Sequence, residues 1–401
     1  MELSELQALL TPEGLRLLDA APPVESADDV ARAVSRLRKD GHSPDLVSAV
    51  VGQARLRTRG RAKFGDLADR MLFTRAGLEQ ATRLPIAARH AARFRDAGFE
   101  RVADLGCGIG GDALGLAGLG LRVLAVEADE VTAAIAAYNL APFGSDVEVR
   151  NATAEASDLS QVDAVWLDPA RRTAGHADTA RTRPEDWSPA LGWVFDLAAR
   201  MPVGVKLGPA LDRSFIPDDV EAQWVSADGS TVELVLWSGA LAREGVRRAA
   251  LVIRGGTAHE LTSPTAHTPA PRTPDAPVRD LGAYLHEPDG AVIRARLIGD
   301  VAHSLEAGLL DEHIAYLTSD AALTSPFVSS FRVREVLPAD VKALGKALRE
   351  RGIGRLEIKK RGVDVDPAEL RTRLKLRGTE SATLFLTRIG TRRTAILADR
   401  L

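Results

Sequence analysis

Among its 401 residues the chain has one cysteine and three methionines, and aromatic side chains make up only 4%. A single thiol, Cys107, excludes an internal disulfide and any cysteine-cluster metal site. Eight histidines are scattered without ligand spacing, so no metal is expected. No apolar run approaches the roughly 18 residues of a membrane span. The opening MELSELQALLTPEGLRLLDA is an amphipathic helical pattern with acidic residues, unlike a signal peptide. A cytoplasmic protein with no membrane partner is expected. Nothing in the composition speaks to oligomeric state.

The net charge of −3 conceals an asymmetry. Residues 331–401 carry 18 Lys and Arg against 9 Asp and Glu, a net of +9, which leaves 34 against 46, a net of −12, for residues 1–330. A basic end on an acidic body points to a polyanionic partner for that end.

Apolar residues at spacings of three and four predict helices through LSELQALL, DDVARAVSRLRK, PDLVSAVVGQARLR and LEQATRLPIAARHAARFRDAG, so residues 1–95 read as a helical region. From Arg101 the pattern becomes strand, helix, strand: RVADLG, DALGLAGLG, RVLAVEAD, EVTAAIAAYNLA, VEVRN and DAVWLDP. That alternation implies a doubly wound parallel sheet in an α/β fold. After MPVGVKLG, the turns Asp228-Gly229 and Ser238-Gly239 predict that the sheet ends in antiparallel hairpins. Residues 96–256 are assigned to this domain. Proline-rich residues 257–280 read as a linker or long loop. Residues 281–401 read as a basic α+β module, with strand, helix, strand, helix and a terminal hairpin from FRVREVLP onward.

DLGCGIGGD lies where the first strand turns into the first helix. Gly106, Gly108 and Gly110 let the chain turn tightly and bring backbone close to a ligand. Gly106, Gly108 and Gly111 also satisfy the GxGxxG of dinucleotide-binding folds. Glu127, ending the next strand, suits ribose hydroxyls in either reading. Asp104 before the glycines and Asp168-Pro169 at the end of the fourth strand separate the two.

These residues resemble class I S-adenosylmethionine-dependent methyltransferases over roughly 101–255. The resemblance implies a Rossmann-like seven-stranded sheet and a cofactor site built from Asp104, Gly106, Gly108, Gly110, Glu127, Asn151 and Ala152. Asn151-Ala152 stands where the family commonly has Asp-Ala against the adenine. The stretch WLDPARRTAG occupies the fourth motif, where amino-methylating members carry Asp or Asn, two prolines and an aromatic ring. Asp168 and Pro169 keep its first half, and Arg171 replaces the second. A planar guanidinium can stack on a base or hold a phosphate, and Trp166 or Trp187 are candidates to supply a ring. Asp168, Pro169 and Arg171 are therefore the catalytic candidates. Arg172 is an adjacent cation of open role, and His176 reads as a solvated loop residue. No covalent nucleophile is needed, since alignment with a methyl on a good leaving group supplies most of the acceleration. Cys107 belongs to the glycine loop.

KFGDLADRMLFTRAGLEQATR, the DPARR box, LHEPDGAVIRA and GRLEIKKRGVDVDPAELRTRLKLRG resemble a bacterial group of methyltransferases with a C-terminal module likened to the THUMP domains of RNA-modifying enzymes. That likeness implies an enzyme methylating a base nitrogen in structured RNA, tRNA or rRNA. Lys359, Lys360, Arg361, Arg373 and Lys375 are the candidate nucleic-acid contacts. ARLRTRGRAKFG, with Arg55, Arg57, Arg59, Arg61 and Lys63, is either a solvated helix end or a second phosphate strip. Two alternatives stay open: a methyltransferase of small molecules or proteins, and an RNA-binding protein on a methyltransferase fold without turnover.

Overall fold

The computed structural model describes residues 1–171, 184–265 and 276–401. Arg172 and His176 lie outside the described residues, as do residues 266–275 of the proline-rich segment. The described chain divides into two compact units, residues 1–207 with 236–242, and residues 208–235 with 243–401.

The first unit opens with six helices, α1 (Leu3–Leu9), α2 (Pro12–Asp19), α3 (Ala27–Lys39), α4 (Pro44–Phe64), α5 (Arg75–Gln80) and α6 (Leu84–Asp96). Local chemistry sets their starts. Thr11, Ser26 and Ser43 each accept a backbone N–H of the first turn, and prolines occupy the first turns of α2 and α4. The long α4 buries Leu46, Val47, Val50, Val51, Ala54 and Phe64. LEQATRLPIAARHAARFRDAG, predicted as one helical stretch, forms two helices. The chain leaves α5 at Ala81, and Pro85 sits in the opening turn of α6. That break leaves Thr82 buried outside any helix.

Five parallel strands follow: β1 (Arg101–Leu105), β2 (Arg122–Glu127), β3 (Val147–Asn151), β4 (Ala164–Leu167) and, after two short strands, β7 (Val203–Leu207). Their order is β7-β4-β1-β2-β3. Leu105 is in register with Val126 on one side and Leu167 on the other. All four residues of β4 are buried, so AVWL reads as a central strand covered on both faces. Between them run α7 (Gly111–Gly118), α8 (Glu130–Leu140) and α9 (Leu191–Ala198). The short strands β5 (Ala170–Arg171) and β6 (Trp187–Ser188) pair antiparallel just past β4.

β8 (Glu221–Ala227) and most of β9 (Ser230–Trp237) belong to the second unit, with β10 (Arg248–Arg254) and β11 (Thr257–Ser263). Asp228 and Gly229 both adopt positive φ, which reverses the chain between β8 and β9 in two residues. The second predicted hairpin, at Ser238-Gly239, does not form. β10 instead pairs parallel to β8, and its hairpin partner is β11. Thr257–Ser263, expected at the head of the linker, is therefore a strand.

The rest of this unit holds β12 (Tyr284–Pro288), α10 (Gly290–Ala295), α11 (Ile298–Ser304), β13 (Gly308–Asp311), β14 (Ile314–Ser319), β15 (Val328–Leu337), α12 (Val341–Glu350), β16 (Ile353–Lys360), α13 (Pro367–Leu374), β17 (Glu380–Ile389) and β18 (Arg392–Arg400). The strands form a sheet of order β13-β14-β12-β15-β18-β17-β16. Leu344 and Leu348 of α12 and Leu370 and Leu374 of α13 pack with Leu356, Leu384 and Leu397 of the sheet. Each such leucine contributes about 1.5–3 kcal/mol by leaving water. The predicted strand-helix-strand-helix-hairpin sequence is the one observed.

Candidate active site

The loop after β1 carries three left-handed glycines, Gly106 (φ 83°), Gly108 (φ 56°) and Gly110 (φ 89°). A side chain is excluded at Gly106 twice over, because a Cβ there would also sit 3.1 Å from the Asp168 carbonyl oxygen. The amides of Gly106 and Cys107 both donate to the Val126 carbonyl, at 2.9 and 3.0 Å. Glu127, one residue further along β2, turns its carboxylate back to the loop and accepts from Gly108 N at 3.0 Å and Asp129 N at 2.9 Å. Asn151 donates its amide to the carbonyls of Glu127 and Ala128, and Ala152 N donates to the Glu127 carbonyl. Thus the ends of β1, β2 and β3 meet around one loop.

Asp104, next to last in β1, is 1% exposed, and its Oδ2 has no hydrogen-bond partner. Burial pushes its carboxyl well above the usual range, and the charges of Asp112 and Asp168 push the same way against the Lys206 ammonium. A buried acceptor and a glycine cradle fit S-adenosylmethionine, whose amino acid end brings donors and whose ribose brings hydroxyls for Glu127. Burial also raises the Cys107 thiol, with Asp104 and Glu127 adding to the effect, which keeps it protonated and unsuited to nucleophilic work.

At the end of β4, Asp168 is half-exposed and Pro169 is buried. Asp168 pairs with Lys206, near the end of the neighbouring strand β7, with Nζ 2.5 Å from Oδ2. Lys206 also donates to Thr82 Oγ1 at 3.0 Å, Thr82 donates to Asp112 Oδ2 at 2.7 Å, and Asp112 Oδ1 lies 2.8 Å from His90 Nδ1. Burial would raise Asp112, but the bonds and charges of His90 and Lys206, with Thr82, hold it below its usual range. Asn139 of α8 links the Ile109 carbonyl in the glycine loop to both backbone groups of Leu72. The helical region thus supplies Thr82, His90 and Leu72 to the catalytic core. Sequence reading missed Lys206, Thr82 and His90. The one available signal was a lysine near the end of an otherwise apolar strand.

Trp166, a candidate to replace the missing ring, is ruled out. It is fully buried, with its ring stacked 4.3 Å from His90 and 5.6 Å from Trp237. Trp187 is buried and stands opposite Arg171 in the short β5 and β6 pair.

The candidate nucleic-acid residues divide. Lys359 is held between Glu287 at 2.6 Å and Glu357 at 3.4 Å, Arg361 approaches Glu287 at 3.9 Å, and Arg373 approaches Glu369 at 3.6 Å. Lys360 and Lys375 are exposed and have no ion pair among the described residues. No described helix is long and apolar enough to cross a membrane, and no described group of three His, Cys, Asp or Glu could hold a metal ion.

A parallel sheet in this order, with a glycine loop and acidic side chains at the carboxyl ends of its strands, defines a Rossmann-like fold. The chain is 34% identical, over 88% of its length and 95% of the relative's, to an uncharacterized S-adenosylmethionine-dependent methyltransferase of Mycobacterium tuberculosis. It belongs to the S-adenosylmethionine-dependent methyltransferases. A crystallised methyltransferase candidate from Porphyromonas gingivalis W83 shares the fold, with a TM-score of 0.70 at 22% identity over 94% of this chain and 99% of that one. Residues 328–400 match a family profile described as THUMP domain-like, and residues 2–60 match a domain of unknown function.

Proposed function

We propose that this methyltransferase modifies a nitrogen of a base in structured RNA, a tRNA or rRNA. The observation that carries the reading is Asp168: its carboxylate ends β4, its backbone carbonyl lies against Gly106, and Lys206 clamps it. Open parallel sheets bind ligands at this edge.

S-adenosylmethionine supplies an electrophilic methyl group on a good leaving group. The protein's residues hold and align. Asp104, Gly106, Gly108, Gly110, Glu127, Asn151 and Ala152 position the cofactor, with Glu127 on its ribose. The Asp168 carboxylate accepts a hydrogen bond from the target N–H and turns the nitrogen lone pair toward the methyl. Lys206 fixes the carboxylate's orientation, so the alignment is in place before substrate arrives. Once the nitrogen has gained its methyl, the surplus proton leaves toward the same carboxylate. Pro169 stiffens the turn, and Arg171 takes the place of the missing ring against the base or its phosphate.

RNA is favoured by the THUMP domain-like match at residues 328–400, by the +9 charge of residues 331–401, and by exposed Lys360 and Lys375. In this reading residues 96–256 carry catalysis and residues 281–401 carry substrate capture. The deciding experiment incubates the protein with radiolabelled S-adenosylmethionine and RNA from a strain lacking the gene, followed by nucleoside analysis. A labelled nucleoside names the base and atom. Label in protein or small molecules, with none in RNA, rejects the reading.

A further inference from the structure

We infer that the helical N-terminal region contains a second binding site, for a nucleotide phosphate, built on Arg57, Arg61 and Arg70. The inference stands whether or not RNA is the methylated substrate. Its residues are separate from Asp104, Glu127, Asp168 and Lys206.

The basic run ARLRTRGRAKFG does not form one strip, because on α4 its members point different ways. Lys63 donates to the carbonyls of Glu79 and Ala81, and Arg59 lies 3.9 Å from Glu79. Arg57 and Arg61, one helical turn apart, instead line a cavity of about 890 Å3 whose walls include Leu18, Pro22, Pro23, Tyr138 and Pro142. Arg70, at the end of the 3-10 turn Gly65–Arg70, completes the basic side. The volume suits a ligand of nucleotide size.

Arg57 is the unusual member. It is 7% exposed, its Nε donates to the Met71 carbonyl at 3.0 Å, and its Nη1 donates to Asp19 Oδ1 at 3.0 Å. Its Nη2 is buried with no partner. A guanidinium has five donors and no acceptor, so this unanswered N–H calls for one more acceptor oxygen, which a phosphate supplies.

The charge balance specifies that acceptor further. Asp19 is answered by Arg57, and Asp69 by two hydrogen bonds from Arg61, at 3.0 and 2.7 Å. Arg70 is exposed and has no ion pair among the described residues, so the cavity holds one surplus positive charge. One phosphodiester carries one negative charge, and a terminal phosphate monoester about 1.5 to 2 at pH 7. The prolines and Tyr138 offer flat apolar surfaces for the attached ribose and base. The ligand is thus a nucleotide phosphate, whether in an RNA strand or as a free nucleotide.

The test uses the full chain and two probes: a fluorescent single-stranded oligoribonucleotide, read by anisotropy, and adenosine 5′-monophosphate, read by calorimetry. The oligonucleotide is measured in a Lys360→Glu, Lys375→Glu background, so that failure of the C-terminal capture proposal and failure of this one are distinguishable. Arg70→Glu should weaken binding of at least one probe fivefold or more, and Arg57→Gln tenfold or more, with S-adenosylmethionine affinity unchanged. Loss confined to the oligonucleotide identifies RNA as the source, and loss for the mononucleotide identifies a free nucleotide. If Arg57→Gln fails to fold, Arg70→Glu and Arg61→Gln decide alone. Affinities for both probes that are indifferent to Arg70 and Arg61 overturn the inference.

Discussion

Lys206 Nζ lies 2.5 Å from Asp168 Oδ2, and the pair joins two neighbouring parallel strands at the edge where the glycine loop turns. The ammonium is 12% exposed and the carboxylate 35%, so the bond is partly shielded from water. A charged hydrogen bond of this kind contributes about 1.5–3 kcal/mol. Lys206→Met should therefore lower kcat by about 10- to 100-fold while leaving the Kd for S-adenosylmethionine nearly unchanged, and Lys206→Arg should restore part of the loss. Asp168→Ala should abolish most turnover with the cofactor still bound. Parent-like turnover in a folded, cofactor-bound Asp168→Ala protein would show that this stretch is only a turn.

Glu127 tests the cofactor assignment. Its carboxylate holds Gly108 N and Asp129 N and is placed to meet ribose hydroxyls. Glu127→Ala should weaken S-adenosylmethionine binding by about 1.5–3 kcal/mol, roughly tenfold or more, in a calorimetric titration. Unchanged affinity in a folded variant would move the ribose elsewhere.

Asp104 makes a prediction about pH. Its folded-state value is raised, by burial first and by Asp112 and Asp168 next. An acid so raised favours folding fully below its unfolded value, about 4, and loses that contribution as pH rises through the folded value. Asp104→Asn cannot ionise. The Tm of the cofactor-free variant relative to the parent should accordingly rise between pH 5 and pH 8, measured by thermal unfolding at several pH values. A difference that is flat or falls with pH would contradict a raised Asp104.

The basic module yields a contrast between neighbours. Lys360→Glu with Lys375→Glu should weaken RNA binding and reduce its salt dependence, by roughly 0.7–0.9 in the log-log slope for each phosphate that is no longer neutralised. Lys359→Met should act on stability instead, lowering it by about 1 kcal/mol through the bonds to Glu287 and Glu357. Equal effects of all three on RNA affinity would mean that Lys359 leaves its internal partners.

What sequence alone determined is what depends on neighbours along the chain. DLGCGIGGD is a strand-to-helix turn with glycines where positive φ is required, and VEAD and WLDP each end an apolar run, so the three motifs could be placed on strand ends before any strand was paired. The α12 and α13 stripes and the Asp228-Gly229 turn were legible for the same reason. The tertiary structure decided what depends on distant segments. Lys206 meets Thr82 across 124 positions, and His90 meets Asp112 across 22, so no local pattern marks them. Parallel pairing of β10 with β8 likewise leaves no signature, because a parallel neighbour need not follow a turn. The basic runs show the same limit: composition counts Arg57, Lys359 and Lys360 as equal charges, whereas folding buries the first, pairs the second and exposes the third, and only burial and partners decide which of them can meet a phosphate.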